Sequence, residues 1–164
     1  MIEIVPYESK YQSGIDVMMQ GIAEEFTEPI MVGQQSKSVA FPDKYWVATY
    51  NGHVIGTIAL MITKHEYGIL KKMMLKKEFR GSVHNVAKLL LQTAIDESEK
   101  NELECIYLGT MTQFKAAQSF YQKHGFKRIH ERELPADFLR NPIDTLFYKL
   151  SLKLVSKIER KPIG

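Results

Sequence analysis

The sequence has little of what defines several common protein classes. Its 164 residues include one cysteine, Cys105, so an internal disulfide is excluded. The longest largely apolar run, residues 54–62, falls well short of the roughly 20 residues that a membrane-spanning helix needs. The five histidines are not paired with carboxylates at metal-ligand spacing, so no metal site is predicted. With no repeats and no signal-type leader, the chain is predicted to be a cytoplasmic domain that does not associate with membranes.

The excess of positive charge is confined to one end of the chain. The net charge is +3, and residues 153–164 hold four basic residues against one acid, so residues 1–152 are neutral overall. A neutral domain lacks the basic face that nucleic acids require, and nucleic-acid binding is therefore not predicted. We accordingly divide the chain into one domain, residues 1–152, and a basic C-terminal tail, residues 153–164.

Hydrophobic periodicity predicts an α/β protein with the element order β-α-loop-β-β-β-α-β-α-β-β. The predicted helices cover residues 9–26, 85–100 and 114–124. Ser9 or Ser13 is expected to cap the first helix, and residues 27–43 are predicted as a long loop or a broken helix. Asn51-Gly52 between two β-rich runs predicts a hairpin. The pattern favours a mixed sheet with an N-terminal antiparallel meander, then a β-α-β crossover, and helices on both faces.

The junction between the predicted third meander strand, residues 67–75, and the second helix combines features of an anion site. The first backbone N–H groups of a helix lack partners, and the helix dipole makes that end positive, so phosphate oxygens bind there. Five basic residues stand against one acid in this part of the chain: Lys71, Lys72, Lys76, Lys77 and Arg80 against Glu78. We expect these cations and the backbone donors to converge, although a solvated charge cluster is the alternative.

Three blocks of sequence share a pattern with one known family. They are Arg80-Gly81-Ser82-Val83-His84-Asn85-Val86-Ala87, then Ala117-x-x-Phe120-Tyr121-x-x-x-Gly125-Phe126, then Leu134-Pro135 with Asp144-x-x-Phe147-Tyr148. Together they resemble the GNAT superfamily of acyl-CoA-dependent N-acetyltransferases, in its bacterial branch. The first block departs from the family's [QR]-x-x-G-x-[GA] turn, because it is one residue longer and lacks the middle glycine. The resemblance extends from residue 2 to about residue 152.

The resemblance implies acetyl transfer from acetyl-CoA to a small-molecule or peptide amine, by direct attack in a ternary complex without a metal. It implies that Tyr121 protonates the departing thiolate, and Glu25, at the end of the first helix, is the candidate general base. The turn would hold the CoA diphosphate, the third meander strand would pair with the pantetheine arm, and a bulge near Met74 would supply an oxyanion donor. The residues implied in cofactor binding are Met73, Met74, Leu75, Arg80, Gly81, Ser82, Val83, His84, Asn85, Val86, Ala87, Thr110, Ala117, Phe120 and Tyr121.

Some alternatives stay open at this point. The departures in the glycine turn, and Phe114 where many members have an asparagine that contacts pantetheine, are compatible with a catalytically silent acyl-CoA-binding sensor or scaffold. A phosphate-binding protein of another family is a third possibility. Tyr121 has a structural alternative, in which its hydroxyl is tied to a backbone carbonyl in the core. The resemblance also implies a homodimer formed through the last strands, with Phe147, Leu150 and Leu152 at the contact.

Overall fold

A computed structural model describes residues 1–30 and 41–152 of the chain. The predicted basic tail and part of the predicted loop at residues 27–43 lie outside these ranges. Within them the strands are β1 Ile2–Pro6, β2 Lys44–Tyr50, β3 His53–Ile62, β4 Tyr67–Leu75, β5 Cys105–Thr110, β6 Lys127–Ile129 and β7 Leu146–Ser151. The α-helices are α1 Gln12–Ala23, α2 Val86–Lys100 and α3 Lys115–Lys123. None of these described helices is long and apolar enough to cross a membrane.

The strands form one mixed sheet in the order β1-β2-β3-β4-β5-β7-β6. Strands β1 to β4 are an antiparallel meander, β4 and β5 run parallel, and β7 lies antiparallel between β5 and β6. The β2–β3 hairpin turns at Asn51-Gly52, where both residues have the positive φ of a type I′ turn. The predicted fold class, meander, hairpin and crossover are therefore confirmed.

Different helices cover the two faces of the sheet. Ile15 and Met18 of α1 pack in one cluster with Val54, whereas Leu90 of α2 packs in another with Ile55. Adjacent residues of β3 thus join different clusters, because successive side chains of a strand point to opposite faces. The prediction of helices on both faces is confirmed.

The first helix begins differently from its prediction. Residues 9–11 form a 3-10 turn that continues directly into α1 at Gln12. Tyr11 is the N-cap residue, and no side chain caps the helix by a hydrogen bond. The predicted cap by Ser9 or Ser13 is wrong, because Ser9 lies in the preceding turn and Ser13 already lies inside the helix.

The last strand occupies the interior of the sheet rather than its edge. Phe147 and Leu152 are 2% and 7% exposed, and Leu150 packs against the main core cluster. These are the side chains predicted to meet in a homodimer. They are largely used within the chain's own core, so they do not form an exposed contact surface, and the homodimer itself stays a prediction.

Strand β4 contains a bulge at Lys72, whose φ is +52°. Thr57 of β3 faces Met74, whereas Ala59 faces Lys71, so β4 accommodates one extra residue. The Thr57 hydroxyl donates a hydrogen bond to the Lys72 carbonyl at 2.7 Å and holds the bulge in place. The bulge that the resemblance places near Met74 is therefore present at Lys72.

Replacing Thr57 by valine should lower the free energy of unfolding by about 1–2 kcal/mol, since valine keeps the shape but removes the donor to the Lys72 carbonyl. Urea denaturation measures this change. The matched control is Thr49→Val, because no hydrogen bond of the buried Thr49 hydroxyl is found among the described residues. Equal effects of the two substitutions would show that the Thr57 hydrogen bond does not stabilise the bulge.

Candidate active site

Strands β4 and β5 pair along only a short part of their length. Tyr67–Ile69 of β4 pairs with Cys105–Tyr107 of β5, and the pairing ends there although both strands continue. A cavity of about 510 Å³ lies between the unpaired parts, which are residues 70–75 and 108–110. The edge of β4 that faces this cavity keeps backbone N–H and C=O groups without a strand partner, and an extended ligand can pair with such an edge.

The cavity has two sides, formed by different parts of the chain. On one side lie the turn before α2 and the residues of α3, including Gly81, Ala87 and Ala117. On the other side lie the end of α1, the segment after it and the loop before β7, including Phe26 and Ile143. The cavity therefore connects the two faces of the sheet through the gap between β4 and β5.

Most of the residues predicted to bind a cofactor line this cavity. They are Met73, Met74, Leu75, Arg80, Gly81, Ala87, Thr110, Ala117, Phe120 and Tyr121. Ser82, Val83, His84 and Asn85 are exposed on the solvent side of the turn, and Val86 is fully buried in the core. Because these five side chains do not line the cavity, the binding role predicted for them is restricted to their backbone groups.

The turn before α2 leaves the start of that helix open. Gly81 has a φ of +94°, which favours glycine, and a Cβ built on it would meet no atom within 4 Å. Asn85, the N-cap residue, is left-handed and makes no side-chain capping hydrogen bond. The first N–H groups of α2 are thus not covered by a cap side chain.

Arg80 links this turn to the end of α1. Its guanidinium donates to the two carboxylate oxygens of Glu25 at 2.6 and 2.9 Å, and its Nε donates to the Leu75 carbonyl at 3.0 Å. The ion pair therefore uses the guanidinium predicted to contact a diphosphate and the carboxylate predicted to act as a base. Both roles stay predictions.

The predicted convergence of all five cations at the start of α2 is wrong for two of them. The Lys71 ammonium lies 6.0 Å from the centre of the Phe138 ring, and the Lys72 ammonium lies 5.8 Å from the centre of the Tyr45 ring. Both rings belong to clusters on the face opposite α2. Ordinary alternation turns Lys71 away from Leu70, which packs with α2, and the bulge then places Lys72 on the same face as Lys71.

Tyr121 lies on the buried side of α3, where it also lines the cavity. Its ring is 5% exposed and packs against Phe126 and Tyr148, with centroids 5.6 and 6.1 Å away. Burial raises the pKa of Tyr121, and the nearby Asp144 and Tyr148 raise it further, so the phenol is protonated at neutral pH. In the part of the chain that the structure describes, its hydroxyl has no hydrogen-bond partner, which leaves the carbonyl-tied alternative without support there.

Asp144 is a residue of the cavity that the sequence analysis did not identify as part of a site. It is half-buried, and its Oδ2 lies 2.6 Å from where a Cβ on Gly109 would stand. Burial raises the pKa of Asp144, and Lys71 and Arg140 oppose this effect. In the sequence it appears only as the first residue of the third family block, Asp144-x-x-Phe147-Tyr148, and that pattern does not reveal which residue of β5 it meets.

The arrangement combines a protonated phenol and a half-buried carboxylate with an unpaired strand edge and the open end of a helix. These groups suit proton transfer beside a bound extended ligand. Among residues 1–30 and 41–152, no three His, Cys, Asp or Glu side chains are grouped so that they could hold a metal ion.

Known proteins share this architecture. N-acetylaspartate synthetase of Danio rerio is 31% identical to this chain over 110 residues, which are 65% of this chain but only 38% of that relative. A GNAT-family acetyltransferase from Staphylococcus aureus Mu50 is 26% identical, with 93% of this chain and 100% of that chain covered and a TM-score of 0.81. The PaiA N-acetyltransferase of Thermoplasma acidophilum, in complex with coenzyme A, has the same fold at 18% identity, with 93% and 99% covered and a TM-score of 0.69.

The family model for the acetyltransferase (GNAT) domain matches residues 42–128, more than half of the chain. This match includes β4, the turn before α2, and α3 with Tyr121. It excludes the phosphate-binding protein of another family that the sequence alone left open. The chain belongs to the GNAT acetyltransferase family.

Proposed function

We propose that this protein transfers an acetyl group from acetyl-CoA to a primary amine by direct attack in a ternary complex. The observation that carries the proposal is the cavity between β4 and β5, because it joins the open start of α2 to Tyr121 and to the apolar end of α1. A thioester that enters from the α2 side and an amine that enters from the α1 side would meet in the gap. The coenzyme A complex of the PaiA relative supports this assignment.

The α2 side of the cavity suits the cofactor. The uncapped N–H groups at the start of α2 would bind the diphosphate, since unpaired donors and the helix dipole both favour an anion there. The unpaired edge of β4 at Met73 and Met74 would hydrogen-bond the amides of the pantetheine arm. Thr110, at the end of β5, is a polar residue on the opposite wall, and it or Thr112 would substitute for the asparagine that many family members have at the position of Phe114.

The α1 side suits an amine that carries an apolar portion. Ile22, Phe26 and Ile30 line this side, and the Phe26 ring meets Phe114 edge-on at 4.8 Å. Gln113 fixes this wall, because its side chain accepts from the Glu28 N–H and donates to the Glu28 carbonyl. Either a small molecule or a peptide N-terminus is compatible with this lining.

The chemistry requires one bond to form and one to break. The amine nitrogen would attack the thioester carbon, and backbone N–H groups at the β4 bulge would stabilise the oxyanion. As the C–S bond breaks, the thiolate would take the phenolic proton of Tyr121. The raised pKa keeps that proton on the phenol until the thiolate, a strong base in this buried place, develops.

A thiol-release assay with acetyl-CoA tests the proposal. The acceptors are phenethylamine, spermidine, free amino acids, a peptide with a free N-terminus and a lysine-containing peptide, and calorimetry measures CoA binding in parallel. Thiol release that depends on one of these amines supports the acetyltransferase. Tight CoA binding without turnover of any amine would instead identify the protein as a silent acyl-CoA-binding module.

Gly81→Val should weaken CoA binding about tenfold or more, because valine at a φ of +94° distorts the turn that presents the N–H groups. Calorimetry measures the affinity. Gly52→Val is the matched control, since Gly52 also has a positive φ and open space but lies in the β2–β3 turn, outside the cavity lining. We expect both variants to lose about 1–3 kcal/mol of stability and only Gly81→Val to lose affinity. Unchanged CoA affinity would mean that the turn does not bind the diphosphate.

Tyr121→Phe should lower kcat and kcat/KM together by about tenfold or more while CoA affinity stays the same, since the phenol acts only as the C–S bond breaks. Steady-state kinetics with an amine from the panel and a thermal melt measure both effects. Tyr148→Phe is the control, because Tyr148 is the buried neighbour of Tyr121 and does not line the cavity. Wild-type turnover by Tyr121→Phe, with a lower melting temperature, would make Tyr121 a structural residue.

A further inference from the structure

We infer that Asp144 is the general base of this active site: its carboxylate binds the acceptor as an ammonium ion and removes the proton that blocks attack. This inference rests on the proposed acetyl transfer. The general base would then be a residue of the loop before β7 and not Glu25, for which this role was predicted.

Among the described residues, two carboxylates line the cavity, Glu25 and Asp144, and they are in different states. Both oxygens of Glu25 accept hydrogen bonds from Arg80. The carboxylate of Asp144 has neither a hydrogen bond nor an ion pair within 4 Å among residues 1–30 and 41–152, although it is half-buried. A carboxylate in this state can accept hydrogen bonds from an incoming ammonium without first giving up a partner.

The backbone around Asp144 is fixed against β5. The Asp144 N–H donates to the Asn141 carbonyl at 3.0 Å, and the Thr145 N–H donates to the Thr110 carbonyl at 2.9 Å. The carboxylate lies across Gly109, where the absence of a side chain provides the space. It is thereby held beside the part of β5 that does not pair with β4, where the α1 side of the cavity meets the side that holds Tyr121.

Charged or titratable groups from β4, the loop before β7 and α3 face this carboxylate. Lys71 of β4 and Arg140 of the same loop favour its ionised form, whereas burial disfavours it and dominates, so the pKa of Asp144 is above its ordinary value. A higher carboxyl pKa makes a stronger base. The negative charge of Asp144 in turn raises the pKa of Tyr121 on α3. The phenol of Tyr121 thus keeps the proton that an acid must give, and the carboxyl of Asp144, once ionised, is a stronger base than an ordinary carboxylate.

The protons balance over one turnover. Asp144 takes one proton from the ammonium, and the neutral amine forms the new C–N bond. When the C–S bond breaks, Tyr121 gives its proton to the thiolate and then regains one from the nitrogen of the new amide. Asp144 releases its proton to solvent, so each turnover yields the amide, the CoA thiol and one proton.

Asp144→Asn tests the inference, because it keeps the size of the side chain and removes the charge. With phenethylamine as acceptor we expect kcat/KM to fall by about 100-fold or more, with CoA affinity unchanged. Binding of phenethylamine to the CoA complex, measured by calorimetry, should weaken about tenfold or more. Asp96→Asn is the matched control: it makes the same chemical change on the exposed face of α2, outside the cavity lining, and should change neither quantity.

Measuring the same variant with a second acceptor distinguishes a catalytic base from a residue that only binds the amine or supports the fold. The β,β-difluoro analogue of phenethylamine is a much weaker base, so more of it arrives as the neutral amine. The loss caused by Asp144→Asn should shrink about tenfold or more with this acceptor. Equal losses with the two amines would overturn the role as a base.

The pH profile gives an independent readout. Because Lys71 lowers the pKa of Asp144, Lys71→Met should raise it and move the acidic limb of kcat/KM to higher pH. In Asp144→Asn this limb should disappear. An acidic limb that stays in place in both variants would overturn the inference and leave the acetyltransferase proposal intact. A wild-type protein that binds CoA but neither binds nor acetylates any amine would overturn the acetyltransferase proposal itself, and the role of Asp144 with it.

Discussion

The early end of the parallel pairing between β4 and β5 is the constraint on which the site depends. After Ile69 and Tyr107 the two strands continue without hydrogen bonds to each other. If β4 and β5 had paired along their whole length, the backbone N–H and C=O groups at this edge of β4 would have had partners in β5. No opening would then connect the two faces of the sheet. Because the pairing stops, the same opening exposes a strand edge and connects the regions covered by α1 and by α2.

The bulge in β4 then gives the two sides of the opening different chemistry. It puts Lys72 on the same face as Lys71, opposite α2, whereas Met73 and Leu75 pack with the cluster that contains α2. Charge on the strand is thereby separated from the apolar surface that faces the cofactor side. A short hydrogen bond from Thr57 maintains this separation, so a residue of β3 outside the cavity lining controls what the cavity presents.

Local patterns predicted the elements well, because each depends on residues close together in the chain. The bounds of β4, the Asn51-Gly52 hairpin and the helix after Arg80 all follow from such patterns. The contacts of the site depend on partners far apart: Arg80 binds Glu25, 55 positions away. Neither this ion pair nor the meeting of Asp144 with Gly109 has a periodic signal. The family motifs gave Tyr121 a role, whereas they include Asp144 only as part of a pattern, without a role in the site.

Because Gly109 and Asp144 are in contact, the residues allowed at one of these two positions depend on the residue at the other. A methyl group at residue 109 would overlap the carboxylate, so a chain that gains a side chain there must also replace or move residue 144. Related sequences are therefore expected to vary at the two positions together, with glycine retained at residue 109 wherever residue 144 is an acid. By the same argument, removing Asp144 would make residue 109 available for a new side chain. The charge of the cavity could then be altered at two positions instead of one.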